Sequence, residues 1–130
     1  MKLIEAVNAY LAADEMSREK WPYAVSLAVV KVKRALKDEF DFFVEKEREL
    51  IARYAVQDSR GNIRLTPEGR FVFRDPADGA DYEQQRRELG ETEITPTHKL
   101  VRVRAPAEIK PAHIEALDGL IEFTTEEGSL

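Results

Sequence analysis

A single apolar stripe constrains this chain more than any other feature. Val25, Val29, Val32, Leu36, Phe40 and Phe43 recur at steps of four, three, four, four and three residues, and after Glu47 interrupts, Leu50, Ile51 and Tyr54 resume the same face. The spacing predicts one helix from Trp21 to Ala55, with Pro22 in its first turn, where a missing N–H has no partner to lose. At 1.5 Å per residue it is about 50 Å long. A helix of that length is longer than a 130-residue domain is wide, so its stripe needs cover from the rest of the chain or from a second copy. Around the stripe, KDEFDFFVEKERELIARY is charged on every other face, with Glu45 preceding Glu49 and Glu49 preceding Arg53 at the four-residue step where side chains meet.

The flanking segments supply some of that cover. Leu3, Ile4, Val7, Tyr10 and Leu11 predict a short helix over residues 2–13, and Ala24, Leu27, Ala28 and Ala35 widen the stripe to receive it as a helical hairpin. Asp14 to Lys20 reads as a loop. After Tyr54 the pattern changes. Asp58, Ser59, Gly61 and Asn62 stop the helix, and Ile63 and Leu65, then Phe71 and Phe73, alternate with arginines on either side of a Pro67–Gly69 turn. These predict an antiparallel hairpin, with His98–Arg104 as a third strand. DYEQQRRELGET predicts a helix ending at Gly90, and Lys110-Pro111 opens another short one that Gly119 stops. Leu120, Ile121 and Phe123 complete the packed part, and TTEEGSL reads as a frayed acidic end. The expectation is one α+β domain over residues 1–130, with a helical arm (1–56), a small α+β region (57–123) and an acidic tail (124–130). Its sheet is small and antiparallel, of two or three strands, followed by two short helices.

Composition excludes several chemistries. There is no cysteine, which removes disulfides, thiol nucleophiles and thiolate metal sites. The two histidines, His98 and His113, lack the spacing of a helical ligand pair and read as surface side chains, so neither a metal nor a cofactor is expected. DSRGN lacks the later acidic ligands of a calcium loop, and its single Gly61 follows a helix and precedes a strand, the wrong polarity for a phosphate cradle. With no G-x-S-x-G context and no visible nucleophile–base pair, the chain reads as non-enzymatic. No stretch approaches the roughly 20 apolar residues of a membrane span, and the expected location is a cytoplasm. The net charge of −5 resides in the last twenty residues, which carry five acids and no base. Arg64, Arg70, Arg74, Arg102 and Arg104 fall on the predicted strands and offer an alternative reading, a small nucleic-acid-binding regulator.

The succession E-x-E-R-E-L-I-A-R-Y-A, D-S-R-G-N-I, Y-E-Q-Q-R-R-E-L-G-E-T-E-I and P-A-E-I-K-P-A-H-I-E-A-L-D-G-L-I-E-F resembles a family of small tailed-bacteriophage and prophage proteins grouped as a domain of unknown function. The resemblance runs from about Val25 to Phe123. It implies a phage or prophage origin and a bacterial host cytoplasm, and it carries no catalytic residue. From the uncovered stripe comes the main expectation: a protein–protein interaction protein of particle assembly or host takeover. It would self-associate, as a homodimer or other homo-oligomer, through Leu36, Phe40, Phe43, Leu50 and Ile51, with a phage or host protein as a further partner.

Overall fold

The computed structural model describes residues 1–125, so the acidic tail beyond Thr125 lies outside the described residues. Helix α1 spans Leu3–Met16 and so takes in Asp14 and Glu15, which the sequence places in a loop. The indole Nε1 of Trp21 donates to the carbonyl of Met16 at 2.8 Å, satisfying one of the acceptors that a helix end leaves open. Trp21 therefore finishes α1 rather than starting α2, and Pro22 is the N-cap of α2. Helix α2 is continuous over Tyr23–Tyr54, 32 residues, about 48 Å at 1.5 Å per residue.

The stripe of α2 is covered by the chain itself. Val25, Val29, Val32, Leu36, Phe43, Leu50 and Tyr54 are buried, and Phe40 and Ile51 are half-buried. Four of these, Val29, Leu36, Phe43 and Leu50, stand seven residues apart. Along the first half, Ala6, Ala9, Ala12 and Ala13 of α1 pack with Val25, Ala28, Val29 and Val32 in one core. Alanines let the two helices approach closely. Ala24 and Leu27, expected to widen the contact, are exposed instead. In the middle, Phe43 is buried with Leu3 and Val7 while Leu89 and Ile94 lean on them, and Tyr10 stacks on Phe40 with ring centroids 4.2 Å apart. At the far end, Leu50 and Tyr54 bury Tyr82, which lies on α3, Gly79–Gly90.

The sheet differs from the antiparallel one the sequence suggests. Strands β1, Val101–Arg104, and β2, Ile121–Thr124, pair in parallel, Val101 with Ile121 and Val103 with Phe123. Residues 105–120, including helix α4, Pro111–Ala116, form the crossover that parallel strands require. Within the sequence, β2 is only four residues, Ile121 and Phe123 alternating with Glu122 and Thr124, too short a stretch to identify its pairing partner or direction. The hairpin at Ile63–Phe73 exists as isolated antiparallel bridges, Gln57 with Ile63, Leu65 with Phe71 and Ala55 with Phe73, and not as regular strands. Val103, Leu117, Leu120 and Ile121 join the core made by α1 and α2, so the 57–123 region has no core separate from the helical arm. His113, expected at the surface, is 5% exposed, with Nε2 3.5 Å from Glu15 Oε1.

Two outcomes follow from this packing. Leu36 is fully buried, so Leu36→Ala should cost about 2–5 kcal/mol, whereas Leu11→Ala, at a site 48% exposed, should change stability by less than about 0.5 kcal/mol; urea unfolding compares them. Asp14 accepts from Lys33 Nζ at 2.9 Å and from Arg18 at 2.8 Å. The Lys33 hydrogen bond, joined by the charges of Lys33 and Arg18, holds its carboxyl below the ordinary 3.8. The unfolded chain then binds a proton first on acidification, so this stabilisation is complete above pH 3.8 and is lost as pH falls through the depressed value. Asp14→Asn should lower the urea midpoint at neutral pH and flatten its decline in acid.

Candidate functional site

The far half of α2, the 57–74 hairpin and α3 enclose a groove of about 620 Å³ lined by Val44, Ile51, Ile63, Leu65, Phe71 and Tyr82, with Glu47, Arg48, Arg70 and Glu83 among its polar residues. Its walls are shaped by two turns. In the first, Asp58 Oδ1 accepts from the backbone N–H of Arg60 at 2.8 Å and of Asn62 at 3.0 Å. These hydrogen bonds, that of Asn62 foremost, hold the Asp58 carboxyl below its usual range. Gly61 takes φ 82°, a backbone shape that other residues reach only with strain. In the second turn Gly69, φ 81°, donates to the Thr66 carbonyl at 2.9 Å and Thr66 N–H donates to the Arg70 carbonyl at 2.7 Å. The two turns set Ile63, Leu65, Phe71 and Phe73 on one side of the hairpin, facing α2 and α3.

Aromatic edges hold the floor together. Phe71 and Phe73 meet with centroids 4.9 Å apart, and each meets Tyr82, at 5.1 and 5.7 Å. Tyr54 completes the group at 5.9 Å from Tyr82, and its hydroxyl donates to the Asp81 carboxylate. That bond is the first cause raising the Tyr54 hydroxyl above its ordinary 10.0, so it stays protonated and donating. Arg74 donates to the Arg53 carbonyl at the end of α2, and Arg86 Nε pairs with Glu47 at 2.8 Å, fastening α3 to α2. The hairpin does not close fully on this floor. Leu65 remains 61% exposed, and Ile51 and Phe71 are half-buried.

The residues singled out by sequence are redistributed. Leu36, Phe43 and Leu50 of the expected interface lie inside the chain, and Phe40 is half-covered by Tyr10. They cannot meet a second copy without displacing the chain's own cover. Ile51 alone lines the groove. The five arginines are divided between two places: Arg64, Arg70 and Arg74 on the hairpin, and Arg102 and Arg104 on β1, where Arg102 pairs with Glu122. His98 Nε2 donates to the Leu120 carbonyl at 2.9 Å, while His113 sits on α4. Among the described residues no group of three or more His, Cys, Asp or Glu side chains is placed to hold a metal ion, and no helix is long and apolar enough to cross a membrane.

Sequence reasoning missed Val44, Leu65 and Arg48 as members of one site. Val44 lies beside the stripe rather than on it, and the alternation at Ile63–Leu65 signals a buried face without saying how well that face is covered. The rigid Pro67–Gly69 turn, which points both arms of the hairpin the same way, was the available signal. No family model matches the chain, and neither does any curated protein or solved structure, so the residues and geometry of the groove carry its interpretation.

Proposed function

We propose that this chain is a non-enzymatic protein–protein interaction protein that docks a segment of another protein in the groove between α2, the hairpin and α3. The observation that carries the reading is the incompletely covered apolar lining, with Leu65 61% exposed above aromatic rings already fixed in place. Apolar surface gains roughly 25 cal/mol per Å² on leaving water, and an aromatic-floored cleft of 620 Å³ is within the usual size of a site for anchor side chains. Docking moves here from the stripe, because the stripe is occupied by α1, the 92–94 segment and α3. The phage or prophage origin, the bacterial cytoplasm, and a role in particle assembly or host takeover are supported by the motif resemblance of residues 25–123. The identity of neighbouring genes bears on them: head and tail genes favour assembly, early genes favour takeover.

The docking reading is tested by panning a random peptide library on the immobilised full chain. Selected peptides should bind Leu65→Glu at least about tenfold more weakly, a loss of about 1.4 kcal/mol. They should bind Leu100→Glu, altered at a site 50% exposed and outside the groove, as they bind the parent. Peptides indifferent to Leu65 would place docking elsewhere and sink the reading.

A further inference from the structure

We infer that the segment taken by the groove is an acidic amphipathic helix; the inference rests on the docking reading above and adds the chemistry of its partner. Two cations border the groove, Arg48 on α2 and Arg70 on the hairpin, and neither side chain forms an ion pair with another described residue. The anions nearby are mostly engaged. Glu47 is tied to Arg86 at 2.8 Å, Asp81 accepts from Tyr54, and Asp58 is consumed by its own turn. Glu83, on the α3 side, is the lining carboxylate without an ion pair among the described residues. Among the residues that line the groove, the unpaired charge is therefore positive on the α2 and hairpin side, with Glu45 and Glu68 outside the lining, on a chain whose net charge is −5.

This asymmetry assigns an orientation as well as a sign. A helix laying apolar side chains at i, i+3, i+4 and i+7 into such a groove exposes its flanks to the two rims. Carboxylates on one flank meet Arg48 and Arg70 in a partly desolvated setting, where charge-assisted contacts to guanidinium groups are stronger than neutral ones. The other flank, facing Glu83, is neutral or basic. A basic helix of the same apolar pattern would set like charges against two arginines, which costs affinity and slows association. A second copy of this chain is the competing occupant, and it would have to bring an acidic, apolar-striped face of its own.

Two synthetic peptides decide the matter, identical in their leucines and differing in one flank, glutamate in the first and lysine in the second. Fluorescence anisotropy with the full chain should show the glutamate peptide binding about tenfold or more tightly at low salt, with the gap narrowing as salt rises. The double variant R48E/R70E, altered at two exposed sites and checked for unchanged circular dichroism, should invert the preference. Equal binding of both peptides, or a preference untouched by R48E/R70E, overturns the acidic assignment while leaving docking intact. Failure of both peptides to bind, in the presence of a Leu65-dependent library selection, overturns the helical assignment. Failure of both without such a selection overturns the docking reading itself. Sedimentation showing that the groove is filled by a second copy, displaced by neither peptide, overturns the external partner.

Discussion

Burial of one face of α2 by segments from every other part of the chain is the constraint on which the rest depends. A helix of 32 residues cannot be stabilised by propensity alone, since most helical stability in proteins comes from packing of the apolar face. Three successive covers meet that need: the alanine face of α1, the Leu3–Val7 and Ile94 contacts around Phe43, and the aromatic group around Tyr54. The N-terminus is held in place for this by an antiparallel bridge between Lys2 and Glu93, with Leu3 N–H donating to Thr92 and Ile94 N–H to Met1, both at 2.8 Å. The covers are unequal. The first two rest on helix α1, the second with one isolated bridge beside it, and the third ends in a hairpin with only isolated bridges, which is where the groove opens.

Much of this was legible from side-chain period. The α2 stripe was read residue by residue, because a 3.6-residue repeat sustained over many turns has few alternative interpretations. The helices at 79–90 and 111–116 announced themselves through Gly90 and Pro111. Pairing was not legible. Nothing local tells Val101–Arg104 that its neighbour is Ile121–Thr124 rather than the hairpin, since strand pairing is decided by long-range packing against α1 and α2. The stripe showed that cover was needed and left open who supplied it, so a face wrapped by its own chain was indistinguishable from one awaiting a partner. For the same reason His113, one of two polar residues on a six-residue helix, gave no sign of being buried against α1 beside Glu15.

The groove itself was only half-visible. Its α2 and α3 residues were placed on helices and its hairpin residues on strands that the structure reduces to isolated bridges, but its openness is a property of how the two turns aim the hairpin. Asp58 and Gly61 set the first direction and Gly69 the second. The turn residues that first suggest a ligand loop thus act at one remove: their hydrogen bonds are spent on their own backbone, and what they create is the apolar wall opposite Val44 and Ile51. Polar groups around that wall are largely satisfied, Tyr54 by Asp81 and Glu47 by Arg86, which leaves shape, apolar surface and two arginines as the means of recognition.

The seven-residue recurrence of Val29, Leu36, Phe43 and Leu50 also sets which length changes this molecule tolerates. One residue added to α2 between Leu36 and Phe43 turns everything beyond it by about 100°, swinging Phe43 away from Leu3 and Val7 and Leu50 and the groove wall away from α3, while leaving the alanine contacts of α1 with Val25, Val29 and Val32 in place. Seven added residues restore the facing to within about 20° but carry the hairpin a further ~10 Å along the axis. Relatives of this chain with longer or shorter arms should therefore differ in whole heptads, with matching changes in the 92–94 segment that bridges back to the N-terminus.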